Sequence, residues 1–212
     1  MSPVPPRILL LDIGMVLVGL NFQPLAERMK ALAGVQPDEL QTALTQGNLV
    51  RAFETGQISG RDFHAEVCRR LGSDIPWEEF LEAWYSIFDR PIIPDEMLGA
   101  LAHSLPLWAL SNTNKLHFDF MMRRFTFLRH FQGFVLSHEV GALKPDARIF
   151  LAALERIGAP AGDILFVDDQ EANVQAARDL GIDAFQFDGL EKFAAELQSR
   201  GLTPCDRDAI SG

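Results

Sequence analysis

Short, uninterrupted apolar runs recur along this chain, and polar residues follow each of them. Residues 7–12 (Arg-Ile-Leu-Leu-Leu-Asp) form the first, with the character of a strand buried on both faces. Leu107–Leu110 and Ile164–Val167 look alike, Ala184–Phe187 is similar but for Gln186, and a shorter run lies at Phe134–Leu136. Between them, residues 94–103, 115–127, 146–157, 171–180 and 189–199 carry apolar side chains at helical spacing. Strands alternating with helices predict βαβ units, hence an α/β, doubly wound (Rossmann-like) parallel sheet with helices on both faces. The first interval breaks this rhythm. Some ninety residues separate Asp12 from Leu107 without a comparable strand run. Residues 23–33, 37–53, 60–71 and 77–88 have helical spacing instead, punctuated by Gly34-Val35-Gln36-Pro37, Thr55-Gly56 and Gly72-Ser73. A βα connection normally takes far fewer residues, so an inserted helical unit is expected. The predicted division is a core of residues 1–18 and 91–212 and a helical cap of residues 19–90.

Composition narrows the class. With 48% hydrophobic and 23% charged residues, the chain reads as an ordinary globular protein, and no apolar run approaches the roughly 20 residues that span a bilayer. A formal net charge of -10 argues against nucleic acid as a partner, because phosphate-backbone binding calls for a basic face. A small phosphorylated molecule remains compatible, since a local cation can reverse the field at a site. Cys68 and Cys205 are the only cysteines, one in a helix-like stretch and one in a polar tail after Gly201, so no disulfide is expected. The N-terminal residues lack the pattern of a signal peptide, and the expected location is the cytoplasm. Oligomeric state is not legible.

Ligands of doubly wound sheets bind beyond the carboxyl ends of the strands. The residues in those positions are Asp12 after the first run, Ser111 and Asn112 after the second, and Asp168 and Asp169 after Ile164–Val167. Lys144 lies in the loop Gly141–Asp146. Each residue alone has an ordinary explanation: Asp12 as a turn former, Asp168-Asp169 as acids at a helix start, Ser111-Asn112 as a cap. Brought to one rim, three carboxylates would repel one another unless cations are supplied. Lys144 offers one positive charge, and Mg²⁺, which prefers hard oxygen ligands and keeps room for phosphate oxygens, would offer two. In such a setting Asp12 is a nucleophile for phosphorus, with Ser111, the backbone near Asn112 and Lys144 holding the phosphoryl oxygens. The histidines show no ligand spacing, and Trp77, Trp84 and Phe88 fit a helix core better than a ligand platform. Phe22, just past the first motif, is a candidate substrate contact.

Four short motifs stand in order: Leu11-Asp12-Ile13-Gly14-Met15-Val16, Leu110-Ser111-Asn112, Lys144-Pro145-Asp146, and Phe166-Val167-Asp168-Asp169 with Asn173. Together they resemble the haloacid dehalogenase superfamily over about residues 7–190, with the helical insert resembling that family's first type of cap. Leu110–His117 and Glu54-Thr55-Gly56-Gln57-Ile58-Ser59 are similar to the branch containing bacterial α-glucose-1-phosphate phosphatase and the phosphatase domain of soluble epoxide hydrolase. The resemblance implies a Mg²⁺-dependent phosphatase acting on a small phosphomonoester such as a sugar phosphate through an aspartyl-phosphate. It implies Asp12, the carbonyl of Gly14 and Asp169 as Mg²⁺ ligands, with Asp168 and Asn173 acting through water or as partners of those ligands. The paired acids Asp168-Asp169 favour phosphate over haloacid. One departure stands out: most family phosphatases place a second Asp two residues after the nucleophile as general acid/base, whereas this chain has Gly14, as the glucose-1-phosphate phosphatase branch does. Such help is typically worth ~10²–10⁴-fold, so modest turnover is expected. The alternatives are a phosphosugar mutase and a non-catalytic phosphometabolite-binding protein.

Overall fold

The computed structural model describes residues 6–202; Cys205 and most of the polar tail lie outside them. Along the chain run β1 (Ile8–Leu11), β2 (Val18–Leu20), α1 (Gln23–Ala33), α2 (Pro37–Thr45), α3 (Leu49–Glu54), α4 (Gly60–Leu71), α5 (Trp77–Tyr85), β3 (Phe88–Pro91) and α6 (Asp95–Ser104). Then follow β4 (Leu107–Ser111), α7 (Lys115–Arg124), β5 (Phe131–Leu136), α8 (Ser137–Val140), α9 (Ala147–Ile157), β6 (Ile164–Asp168), α10 (Glu171–Asp179), β7 (Asp183–Gln186) and α11 (Leu190–Ser199).

The expected parallel sheet is present, in the order β5-β4-β1-β6-β7, with every neighbouring pair parallel. The continuous apolar runs are explained by cover on both faces. Leu9 and Leu11 of β1 point into one cluster with Met97, Leu98 and Leu101 of α6 and Phe193 and Leu197 of α11. Leu10, one residue out of step, joins the opposite cluster with Ile149 and Phe150 of α9 and Val174 and Ala177 of α10. A period of two with both sets buried is what a central strand requires. The chain leaves β1 toward β4 and β5, then returns to place β6 on β1's other side. The strand order reverses at β1, and the carboxyl ends of β4, β1 and β6 share one rim.

Helices α1 to α5 enclose a separate core. Phe63 sits at its centre, stacked on Phe53 with ring centroids 4.4 Å apart and tilted against Trp84 at 4.9 Å. Trp84 and Trp77 therefore pack, as their helical spacing suggested. The expected continuous helix over 37–53 is broken: Gly47 and Asn48 both take left-handed backbone angles, which splits α2 from α3. The stretch 77–88 stops being helical at Tyr85, and Phe88–Pro91 instead pairs antiparallel with Val18–Leu20. These two strands carry the chain from the sheet into the helical unit and back. No helix among the described residues is long and apolar enough to cross a membrane.

The helical unit meets the sheet rim at Gly56. Its φ of +70° places it in the left-handed region, and a Cβ there would run into the carbonyl oxygen of His138 in α8. Nearby, the Ser137 hydroxyl lies within hydrogen-bond distance of both the Glu54 carbonyl (2.7 Å) and the Thr113 carbonyl (2.8 Å), with one hydrogen to donate between them, and so bridges α3 to the loop after β4. Gly56→Ala therefore combines left-handed strain with a clash against backbone and is expected to lower stability by about 2–4 kcal/mol. Gly34→Ala, at φ +71° with open space around it, should cost only about 1 kcal/mol. Urea midpoints of the two variants check this, and equal losses would mean that the α3–α8 contact is slack.

Candidate active site

Asp12 directly follows β1, and its backbone N–H still bonds Val167 of β6 (2.9 Å), so the side chain is held at the rim by the sheet itself. The next residues turn sharply: the N–H groups of Leu17 and Val18 return to the Ile13 carbonyl, and Met15 adopts φ +58°, a left-handed angle that costs a non-glycine residue roughly 1–2 kcal/mol. Asp12 Oδ1 accepts from the Ile13 N–H at 2.7 Å and from Lys144 Nζ at 2.8 Å.

Lys144 is the hub. Its buried ammonium also donates to Asp168 Oδ2 (2.7 Å) and to the Leu110 carbonyl (2.9 Å), which uses all three of its N–H donors. The Asn112 side chain holds this lysine's loop in place, accepting from the Lys144 N–H (2.7 Å) and donating to the Lys144 carbonyl (3.0 Å). Asp168 is fully enclosed; its second oxygen accepts from Asn173 Nδ2 (2.9 Å) and the Gln170 N–H (2.8 Å). Asp169, half-buried, follows it at the rim. Ser111 ends β4 and is buried. Of the residues singled out from sequence, Asp12, Lys144, Asp168, Asp169 and Asn173 thus converge with Ser111 and Asn112. Gly14 and Phe22 line a cavity next to them.

The electrostatics are unbalanced. One carboxylate oxygen from each of Asp12, Asp168 and Asp169 lies within 4.8 Å of the others, against the single ammonium of Lys144. Burial first, and the Asp168 charge as well, push the Asp12 carboxyl up to about 7 despite Lys144. Burial and Asp168 also raise Asp169. Asp12 and Asp168 raise Lys144 against the pull of its own burial, so the ammonium stays charged. An all-oxygen cluster with excess negative charge suits a hard divalent cation such as Mg²⁺. Because Asp168 already serves Lys144, Asn173 and the Gln170 N–H, Asp12 and Asp169 are the carboxylates with capacity left for an ion.

Two groups near the site were not singled out from sequence. Ser137 is fully buried and ties the Thr113 loop to the helical unit. Glu54, at the end of α3, lines the same cavity as Gly14 and Ser111, and burial pushes its carboxyl up to about 7. Its motif, Glu54-Thr55-Gly56, was visible, but the wall it joins is assembled from distant segments. His117 turns out to be structural. It is buried, its Nε2 bonds the Trp84 carbonyl (3.0 Å) and its Nδ1 meets Asn114 Nδ2 (3.1 Å), and burial depresses its pKa to about 4.

Comparison with known proteins identifies the family. Residues 19–181 match the haloacid dehalogenase-like hydrolase family. The chain is 25% identical over 183 residues to the D-ribitol-5-phosphate phosphatase of Bacteroides thetaiotaomicron, covering 82% of this chain and 88% of that protein. It is 34% identical over 189 residues to acyl-CoA dehydrogenase family member 10 of Mus musculus, covering 76% of this chain but only 17% of the mouse protein. The solved structure of a haloacid dehalogenase family enzyme from Bacteroides thetaiotaomicron, in complex with magnesium and inorganic phosphate, superposes with a TM-score of 0.79 at 25% identity, over 87% of this chain and 95% of that one. With the four motifs placed on one rim and the family match covering most of the chain, this protein belongs to the haloacid dehalogenase-like hydrolase family.

Proposed function

We propose that this chain is a Mg²⁺-dependent phosphatase that hydrolyses a small phosphomonoester through a phosphorylated Asp12. The observation that carries it is the convergence of Asp12, Asp168 and Asp169 around Lys144 at the switch in strand order. The phosphatase relative and the neighbour holding magnesium and phosphate support the same chemistry.

Asp12, Asp169 and the Gly14 carbonyl would hold the ion, with Asp168 and Asn173 fixing the surrounding polar frame. When bound, Mg²⁺ supplies charge neutralisation and Lewis acidity toward the phosphoryl oxygens. Asp12 attacks phosphorus, the bond to the leaving oxygen breaks, and a mixed anhydride forms on Asp12. The leaving oxygen takes its proton from water, since position 14 has no side chain. A second water then attacks phosphorus, releasing inorganic phosphate and restoring Asp12. The Ser111 hydroxyl and, through its charge, the Lys144 ammonium stabilise the phosphoryl oxygens throughout, and the Asn112 side chain keeps the Lys144 loop in register. The helical unit of residues 19–90 serves as a cap that excludes water and selects the leaving group.

Gly14 also weighs against the mutase alternative, which needs a proton relay in both directions. A Cβ at Gly14 would lie 3.1 Å from a Leu20 methyl, which would have to shift by a few tenths of an ångström to admit it. Chelation of divalent ions is expected to lower phosphomonoester turnover roughly a thousandfold, and added Mg²⁺ to restore it. Phosphate release with EDTA, then with excess Mg²⁺, checks this; full activity in EDTA would sink the metal assignment.

A further inference from the structure

Between the helical unit and the rim lies a cavity of about 540 Å³, within the roughly 300–1,000 Å³ of pockets that enclose small-molecule ligands. Ile13, Gly14, Ser111 and Asn112 form its catalytic end. The rest is lined largely by hydrocarbon, including Leu20, Leu25, Leu40, Val50, Ile87 and Met121.

Several polar members of the wall are committed elsewhere, although the buried indole N–H of Trp84 has no hydrogen-bond partner among the described residues. Both ring nitrogens of His117 are engaged, with the Trp84 carbonyl and with Asn114. Both polar atoms of the Asn112 amide bond the Lys144 backbone. The Thr45 hydroxyl donates to the Gln41 carbonyl at 2.8 Å. Glu54 is the acid in the wall, and its carboxyl is held toward the neutral form by its dry surroundings. A sugar or polyol entering this space would give up water around each hydroxyl and find few partners beyond Glu54, Gln41 and the Trp84 indole N–H, and an unmet buried polar group is costly. A hydrocarbon would lose nothing of that kind and would gain from leaving water. Position 14 reinforces the point, because its missing side chain makes room for Leu20.

Building on the phosphatase proposal, we propose that the substrate is the phosphomonoester of an apolar alcohol, whose hydrocarbon part fills this chamber while its phosphoryl group meets Asp12. This reading departs from the sugar phosphate expected from sequence resemblance, and the leaving group it calls for is an alkyl or aryl alcohol.

The test is a homologous series of butyl, hexyl and octyl phosphates below their micelle concentrations, with ribitol 5-phosphate and glucose 6-phosphate alongside, all with Mg²⁺ and the full chain. Each buried methylene is worth about a fourfold gain in affinity, so kcat/KM is expected to rise by roughly a hundredfold or more from butyl to octyl and to leave the polyol esters behind. Turnover that is flat or falls with chain length, or that favours the polyols, overturns the apolar substrate while leaving the phosphatase intact. Turnover of no ester overturns the phosphatase. In that case calorimetric binding of the same series decides the chamber: affinity that climbs with chain length upholds an apolar ligand, and flat affinity overturns it. The variant Leu44→Asn, at a half-buried wall position, should cut the octyl-to-butyl ratio about tenfold. An equal loss on both esters would indicate a merely structural role and count against the proposal.

Discussion

Asp12→Asn is expected to lower phosphomonoester turnover by roughly four orders of magnitude or more, while the protein stays folded. The amide is nearly isosteric and keeps an oxygen to accept from the Ile13 N–H and from Lys144, the two contacts that orient the carboxylate. It lacks the anionic oxygen that attacks phosphorus. A loss of that size corresponds to at least about 5.5 kcal/mol of transition-state stabilisation, which separates a lost nucleophile from a lost contact. Stability should move the other way. Burial and Asp168 disfavour the ionised form of Asp12, so a neutral amide relieves repulsion, and the metal-free variant should unfold at an equal or higher urea midpoint. Retention of a tenth of the activity would rule Asp12 out as nucleophile, and a large drop in midpoint would recast it as structural.

The difference between what sequence revealed and what it concealed has a physical basis here. The sheet was legible because every one of its strands is covered on at least one face by helices, and residues such as Leu9, Leu10 and Leu11 must all be apolar in a strand covered on both. The rim residues followed from that, since Asp12, Ser111 and Asp168 sit where an apolar run gives way to polar groups. The pair β2 and β3 was hidden for the opposite reason: Asp89, Arg90 and Pro91 are exposed, so no hydrophobic pattern marks the strand. The break between α2 and α3 depends on Asn48 accepting a left-handed angle, which spacing alone does not announce. The bond from Asn112 to the Lys144 backbone and the bridge of Ser137 to Glu54 join residues far apart in the chain. Such contacts become visible only once the fold brings them together.

The chamber and the missing acid share one cause. In the resemblance, position 14 was a lost function, a proton donor exchanged for nothing. In the structure it is an approach distance: without a Cβ, Gly14 lets a Leu20 methyl pack close beside it in the wall of the cavity. A carboxylate there would sit among aliphatic side chains, where its charge is unfavourable. On the proposed function, slow leaving-group protonation and selection for an apolar leaving group would both follow from one small residue.

Lys144→Met is expected to be the most destabilising single change at the rim, by about 3–5 kcal/mol in the metal-free protein, and to abolish turnover as well. The lysine is buried and its three donors reach Asp12, Asp168 and the Leu110 carbonyl. Methionine matches its length but leaves two buried carboxylates facing each other and a carbonyl unmet. The network, rather than any one pair, sets the cost, so a double-mutant cycle is the suitable measurement. Asp168→Asn removes one of the stranded charges while its amide oxygen can still accept from the Gln170 N–H. The double variant Lys144→Met/Asp168→Asn should therefore regain about half of the lost stability yet remain inactive, because the cation that steadies the phosphoryl oxygens is still missing. Urea unfolding of the two single variants, the double variant and the wild type reads the coupling directly. Additive losses would mean that Lys144 and Asp168 act independently, contrary to the 2.7 Å contact between them. Recovery of activity in the double variant would show that Lys144 is there to hold the fold and not the phosphate.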